Sequence, residues 1–173
     1  MAAGDLVKAA GCQHMIGVSY KIENDLEKAL PAYELAMSDY KTAGDMFGSG
    51  RVERDIGVMF EYHDRFADAE KHLRKSVAEL QTERGAELGM SLAKVGLLYT
   101  HMQKFDQAEA PIIEGLDLIR KVGHPFYEMT ALMHLGGLYL ATNRAGRALA
   151  NLEACLGLIY EYDMQREQTR RLA

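Results

Sequence analysis

Apolar residues recur along this chain at helical spacing, and they do so in blocks that repeat. Four blocks begin Ile16-Gly17-Val18-Ser19-Tyr20, Ile56-Gly57-Val58-Met59-Phe60, Val95-Gly96-Leu97-Leu98-Tyr99 and Leu135-Gly136-Gly137-Leu138-Tyr139. Their glycines stand 40, 39 and 40 residues apart, and each is followed twelve positions later by an alanine: Ala29, Ala69, Ala108 and Ala148. Self-similarity at a fixed period of a few tens of residues marks a stack of like units rather than one globular core. An aromatic lies three residues beyond each glycine, on the same helix face (Tyr20, Phe60, Tyr99, Tyr139). A second apolar stripe follows, with Tyr33, Leu73, Ile112 and Leu152 in one column and Tyr40, Leu80, Ile119 and Ile159 in another.

Each block therefore predicts a helix–turn–helix hairpin. Turn-type pairs separate the two stripes at Glu23-Asn24, His63-Asp64, Gln103-Lys104 and Thr142-Asn143. Gly44-Asp45, Gly85 and Gly123-His124-Pro125 supply stops between units. The predicted helices cover 7–22, 26–42, 49–62, 66–82, 88–102, 105–121, 127–142 and 146–163. They form repeats at 7–44, 48–85, 87–123 and 126–163, in one domain over 1–173 with a polar tail at 164–173. That tail extends the last helix, caps it or frays. A glycine inside a helix costs roughly 1 kcal/mol against alanine, so four in register need a reason. The expected one is close approach of the second helix, with the column of alanines facing the column of glycines.

Composition narrows the function. The net charge is −5 and the hydrophobic share 48%, which suits a folded chain and provides no global positive field for nucleic acid. Cys12 and Cys155 are the only cysteines and have no metal-type spacing. Cys155 shares a column with Ala36, Ser76 and Gly115, where a small residue packs. The start lacks a secretory pattern, and no apolar run reaches the roughly 20 residues of a membrane span. A soluble, cytoplasmic protein is the expectation.

Candidate chemistry is sparse. Six histidines fall without HExxH or any recurrent His/carboxylate pair, so no metal or other cofactor is expected. Gly48-Ser49-Gly50 superficially resembles a phosphate loop, but it lacks the Lys-Ser/Thr ending and reads as an inter-repeat linker. Ser19 and Ser91 stand outside any nucleophile motif. No catalytic constellation emerges, and the chain is not expected to be an enzyme.

Glycine, an aromatic at the third position beyond it and alanine at the twelfth resemble the signature of the tetratricopeptide repeat (TPR), which all four copies carry. The period near 40 resembles the long-helix branch found in kinesin light chains and cell-polarity adaptors, as do prolines early in the second helix (Pro31, Pro111). The resemblance implies an all-α, right-handed superhelical solenoid of four hairpins that binds protein. It also implies that the first helix of each hairpin lines a concave groove. Groove positions are then His14, Val18 and Lys21; Arg51, Arg54, Val58, Glu61 and Tyr62; Met90, Leu97 and His101; and Met133. Any of these residues could instead pack against a neighbouring helix. Val18, Val58, Leu97 and Gly137 replace the asparagines that a chaperone-tail clamp or a polarity-adaptor ladder would carry. The expected partner is a protein or peptide, presented as an amphipathic helix or an apolar extended segment, and neither nucleic acid nor membrane. Self-association through the solenoid ends is a further expectation. A regulatory sensor, or a structural subunit docked end-on in a larger assembly, is the alternative role.

Overall fold

The computed structural model describes residues 3–82 and 85–172, with the side chains of 168, 169, 171 and 172 left aside. Met1, Ala2, Glu83, Arg84 and Ala173 lie outside it, so the expected tail and the second repeat's end are described only in part. Its helices are α1 (Ala3–Ile22), α2 (Leu26–Thr42), α3 (Met46–Tyr62), α4 (Phe66–Leu80), α5 (Ala86–His101), α6 (Phe105–Val122), α7 (Pro125–Ala141) and α8 (Ala145–Leu172). No strand occurs among the described residues.

The turns show why the chain folds back where it does. Asn24, Asp64, Gln103 and Asn143 all adopt left-handed backbone, at φ 60°, 58°, 58° and 55°. One such residue per period reverses the chain between the helices of each hairpin. Gly44 and Gly123, at φ 75° and 72°, do the same between repeats. Gly85 differs: it is extended and stands before α5, while α4 has already ended at Leu80.

One sequence expectation needs correction. Gly48-Ser49-Gly50 is not a linker but lies inside α3, because Asp45 caps that helix by accepting a hydrogen bond from the Gly48 amide at 2.8 Å. Of the three courses open to the polar C-terminal segment, the chain takes the first, continuing α8 to Leu172. Pro31 and Pro111 sit inside α2 and α6, which remain continuous past them.

Packing follows chain order. Each hairpin packs internally, and each second helix packs on the next first helix (α2 on α3, α4 on α5, α6 on α7). First helices also pack across repeats (α1·α3, α3·α5, α5·α7), whereas second helices reach one another through long side chains, Lys41 to Glu79 at 3.6 Å and Arg147 to Glu109 at 3.5 Å. The array is thus curved, with the first helices on its inner side.

The glycine column meets mainly the Tyr33 column rather than the alanines. A Cβ on Gly17, Gly57 or Gly136 would press into Tyr33, Leu73 or Leu152 respectively. Only at Gly96 does the alanine column enter, through the Ala108 carbonyl, 2.6 Å from such a Cβ. Ala29, Ala69, Ala108 and Ala148 are fully buried beside it.

Candidate functional site

The inner face is formed by α1, α3, α5 and α7, and a chain of charges runs across it. On α1, His14 donates from Nε2 to Asp55 of α3 at 2.8 Å, and Lys21 donates to the other Asp55 oxygen at 2.6 Å. Burial pushes the Asp55 carboxyl up, but the His14 hydrogen bond and the Lys21 and Arg54 charges outweigh it and hold it well below the usual range. Arg54, also on α3, pairs with Glu87 of α5. Glu87 also accepts from Tyr127 Oη of α7 at 3.0 Å, and Arg51 Nε stands 3.5 Å away. Nearer the other end of the helices, Glu61 of α3 pairs with His101 of α5 at 2.9 Å.

Two groups on this face lack such matching. Lys94, midway along α5, has no carboxylate within 4.0 Å among the described residues, and burial lowers its ammonium pKa. His134 of α7 has a buried Nε2 with no hydrogen-bond partner. Its desolvation, with the Lys94 and His101 charges, lowers its pKa to about 3, so the ring is neutral at pH 7. Glu61 shows the converse: burial raises its pKa despite the opposing pull of His101 and Lys94.

The expected groove residues divide accordingly. His14, Arg54, Glu61 and Met90 are buried, the first three with intramolecular partners already in place and Met90 in the core. Their exposure to a ligand is corrected on that ground. Lys21 and Arg51 are half-buried within the ion-pair chain. Val58 and Leu97 are partly open, while Tyr62, His101 and Met133 are exposed. Val18 is half-buried and packs against the core. Val58 and Tyr62 join Lys21, Ile22, Asn24 and Met59 around an open pocket of about 320 Å³, mostly apolar, between the ends of α1 and α3.

Asp55, Glu87, Lys94, Tyr127 and His134 were not singled out by sequence reasoning. A signal existed: Met15, Asp55, Lys94 and His134 occupy one column, directly before the first apolar residue of each block. Charge embedded at that point of an apolar stripe indicates a polar seam between like helices.

The seam predicts a pH response. The unfolded chain binds a proton at His134 near its ordinary 6.5, whereas the folded chain binds it only near 3. Stability is therefore full above pH 6.5 and lost as pH falls towards 3. Glu61 acts in the opposite sense, because acidification neutralises a carboxylate that the fold prefers neutral. The urea midpoint of wild type should fall between pH 7.5 and 5 and fall less in His134→Gln. Equal falls would remove His134 from this account.

Comparison with known proteins agrees with this architecture. Residues 10–38 match the tetratricopeptide repeat family model. That segment is similar to a single tetratricopeptide repeat. The TPR fold extends beyond the matched segment. BtubC (BKLC) from P. vanneervenii superposes with a TM-score of 0.74 at 18% identity, over 89% of this chain and 64% of that one. Kinesin-light-chain-type TPR-like repeats of Podosopora anserina superpose at 0.63 and 14% identity, over 88% and 76%. In sequence, 117 residues (68% of the chain) are 21% identical to the transcriptional activator NprA of Geobacillus stearothermophilus, of whose length they span 29%. TPR arrays generally mediate protein–protein interaction. No described helix is long and apolar enough to cross a membrane.

Proposed function

We propose that this TPR array binds a segment of another protein along its inner face, engaging an acidic side chain at Lys94 and an apolar one between Ile22, Val58 and Tyr62. Lys94 carries the reading. Asp55, Arg54, Glu87 and Glu61 each have an opposite charge in hydrogen-bond range, whereas the Lys94 ammonium is desolvated without one among the described residues. A partly buried charge left unmatched costs stability, and an incoming carboxylate would recover that cost. Exposed Tyr62 and Met133 flank the seam with apolar surface suited to an amphipathic helix or an extended apolar segment. The role is that of a scaffold or adaptor without catalysis.

The test is comparative capture from native lysate, using wild type and Lys94→Glu/Met133→Asp as baits. Arg54 is avoided because its replacement would orphan the Glu87 pair inside the fold. A partner lost from the double variant, with an unchanged circular dichroism melt, is the expected result. In a direct titration of that partner, Lys94→Ala should weaken binding by about tenfold to a hundredfold, the range for a charge-assisted contact of about 1.5–3 kcal/mol. Equal capture by both baits would overturn the inner-face reading.

A further inference from the structure

Two cations on neighbouring first helices are short of acceptors. Lys94 of α5 is one. The other is Arg51 of α3, which makes no hydrogen bond among the described residues and whose Nε is buried without a partner. Its nearest carboxylate, Glu87, lies 3.5 Å away, and both Glu87 oxygens are already engaged, one by Arg54 and one by Tyr127 Oη at 3.0 Å. The Arg51 guanidinium sits 6.0 Å from the centroid of the Phe47 ring, and its side chain is 40% exposed. A half-exposed guanidinium backed by an aromatic ring is held ready for an incoming carboxylate.

Charge points the same way. Between the first helices Lys21, Arg51, Arg54 and Lys94 face Asp55, Glu61 and Glu87, four positive groups to three negative ones among the described residues, in a chain of net charge −5. The inner face is thus a positive strip on an acidic protein, which complements an acidic occupant.

The spacing of the two cations selects how that occupant is folded. Arg51 stands four residues before Asp55, about 6 Å of helix rise, and Asp55 and Lys94 hold the same column of adjacent first helices. With axes about 8–10 Å apart, the two positions are about 10–12 Å from each other. An extended segment shows one face at every second residue, at about 7 Å and then about 13 Å. An α-helix shows one face at residues seven apart, at about 10.5 Å. Val58 and Leu97, partly open and three residues beyond Asp55 and Lys94, lie beside this path.

We infer that the partner segment is an amphipathic α-helix carrying two acidic residues seven apart, one read by Arg51 and the other by Lys94, with apolar residues between them over Val58 and Leu97. This rests on the inner-face binding already proposed and narrows it, naming a helix where either a helix or an extended segment would serve.

The test is fluorescence anisotropy at low ionic strength, where screening is least. Three amphipathic peptides of about 20 residues, long enough to be helical in water, are the probes. One has two glutamates seven apart with leucines between them on the same face, the second has them four apart, and the third has a single glutamate. Wild type should bind the seven-apart peptide about fivefold tighter than either other, as one added ion pair allows. Arg51→Ala should remove that advantage, and so should Arg51→Gln, which keeps the stem against Phe47. Glu87 retains Arg54 and Tyr127 in both variants, and circular dichroism melts check that they fold. Lys94→Ala should remove the same advantage. Equal binding of the three peptides by wild type overturns the inference, as does an advantage that survives Arg51→Ala. If Lys94→Ala still weakens all three in that case, the inner-face reading survives alone. Binding that Lys94→Ala leaves unchanged, or no binding of any peptide, overturns both.

Discussion

Replacing Gly96 with leucine is expected to break the α5/α6 hairpin, and even alanine should be harmful there. A Cβ at this position would press into Ile112 and lie 2.6 Å from the Ala108 carbonyl oxygen. Ile112 can repack, but the carbonyl belongs to the α6 backbone and moves only if the helix moves. Alanine gains about 1 kcal/mol of helix propensity, while overpacking costs about 1–3 kcal/mol and more against backbone. We expect Gly96→Ala to lose about 2 kcal/mol and about 4–8 °C in Tm, and Gly96→Leu to lose about 4 kcal/mol. Gly137 is the internal control: it is also mid-helix, yet nothing lies within 4 Å of its missing Cβ. Gly137→Ala should therefore stabilise by roughly 0.5–1 kcal/mol. Urea and thermal unfolding of the three variants check the signs; an unchanged Tm for Gly96→Leu would refute the close-approach account.

The second large effect is expected at Glu53, whose side chain is fully buried in α3. Its oxygens meet His72 Nδ1 at 2.7 Å, the Lys75 ammonium, and Lys41 at 3.7 Å, so one carboxylate ties α2, α3 and α4 together. Burial pushes its pKa up, and the His72 and Lys75 hydrogen bonds outweigh that and lower it. Breaking a buried ion pair from one side costs about 3–5 kcal/mol. Lys41 and Lys75 are more than a third exposed and would return to water, so Glu53→Ala should cost nearer about 3 kcal/mol. Glu53→Gln keeps the shape and should cost about 1–2 kcal/mol at pH 7. Because the folded pKa lies below the ordinary 4.5, the carboxylate's contribution is present above 4.5 and lost as pH falls through the folded value. Wild type and Glu53→Gln should accordingly converge in stability on acidification, as urea midpoints at stepped pH will show. Parallel profiles would mean that Glu53 acts through shape alone.

Most helices were legible because their signals are local. The apolar period, the turn pairs and the αL-prone Asn24, Asp64 and Asn143 all operate within a few residues, and the observed bounds lie close to the predicted ones. The start of α3 was missed because two glycines outweighed an aspartate cap in the reading, whereas one capping hydrogen bond outweighs them in the fold. The inner face was only half legible. Arg51 and Arg54 read as a basic spot, but their counter-charge, Glu87, comes from the next repeat. His14 and Lys21 likewise find Asp55 across a helix boundary. Such pairings depend on which helices lie side by side, and no periodicity within one helix records that.

The order of packing also bears on kinetics. Among the described residues, each helix packs on its hairpin partner and the adjoining helix, first helices also pack on the first helix one repeat away, and second helices reach across one repeat by side-chain ion pairs. No contact requires the chain to close a loop much longer than one period, and loop closure is the entropic toll that slows folds built on distant pairings. Folding can therefore begin at any hairpin and spread to its neighbours in either direction. A nascent chain leaving the ribosome could complete its first hairpins while the later ones were still being made.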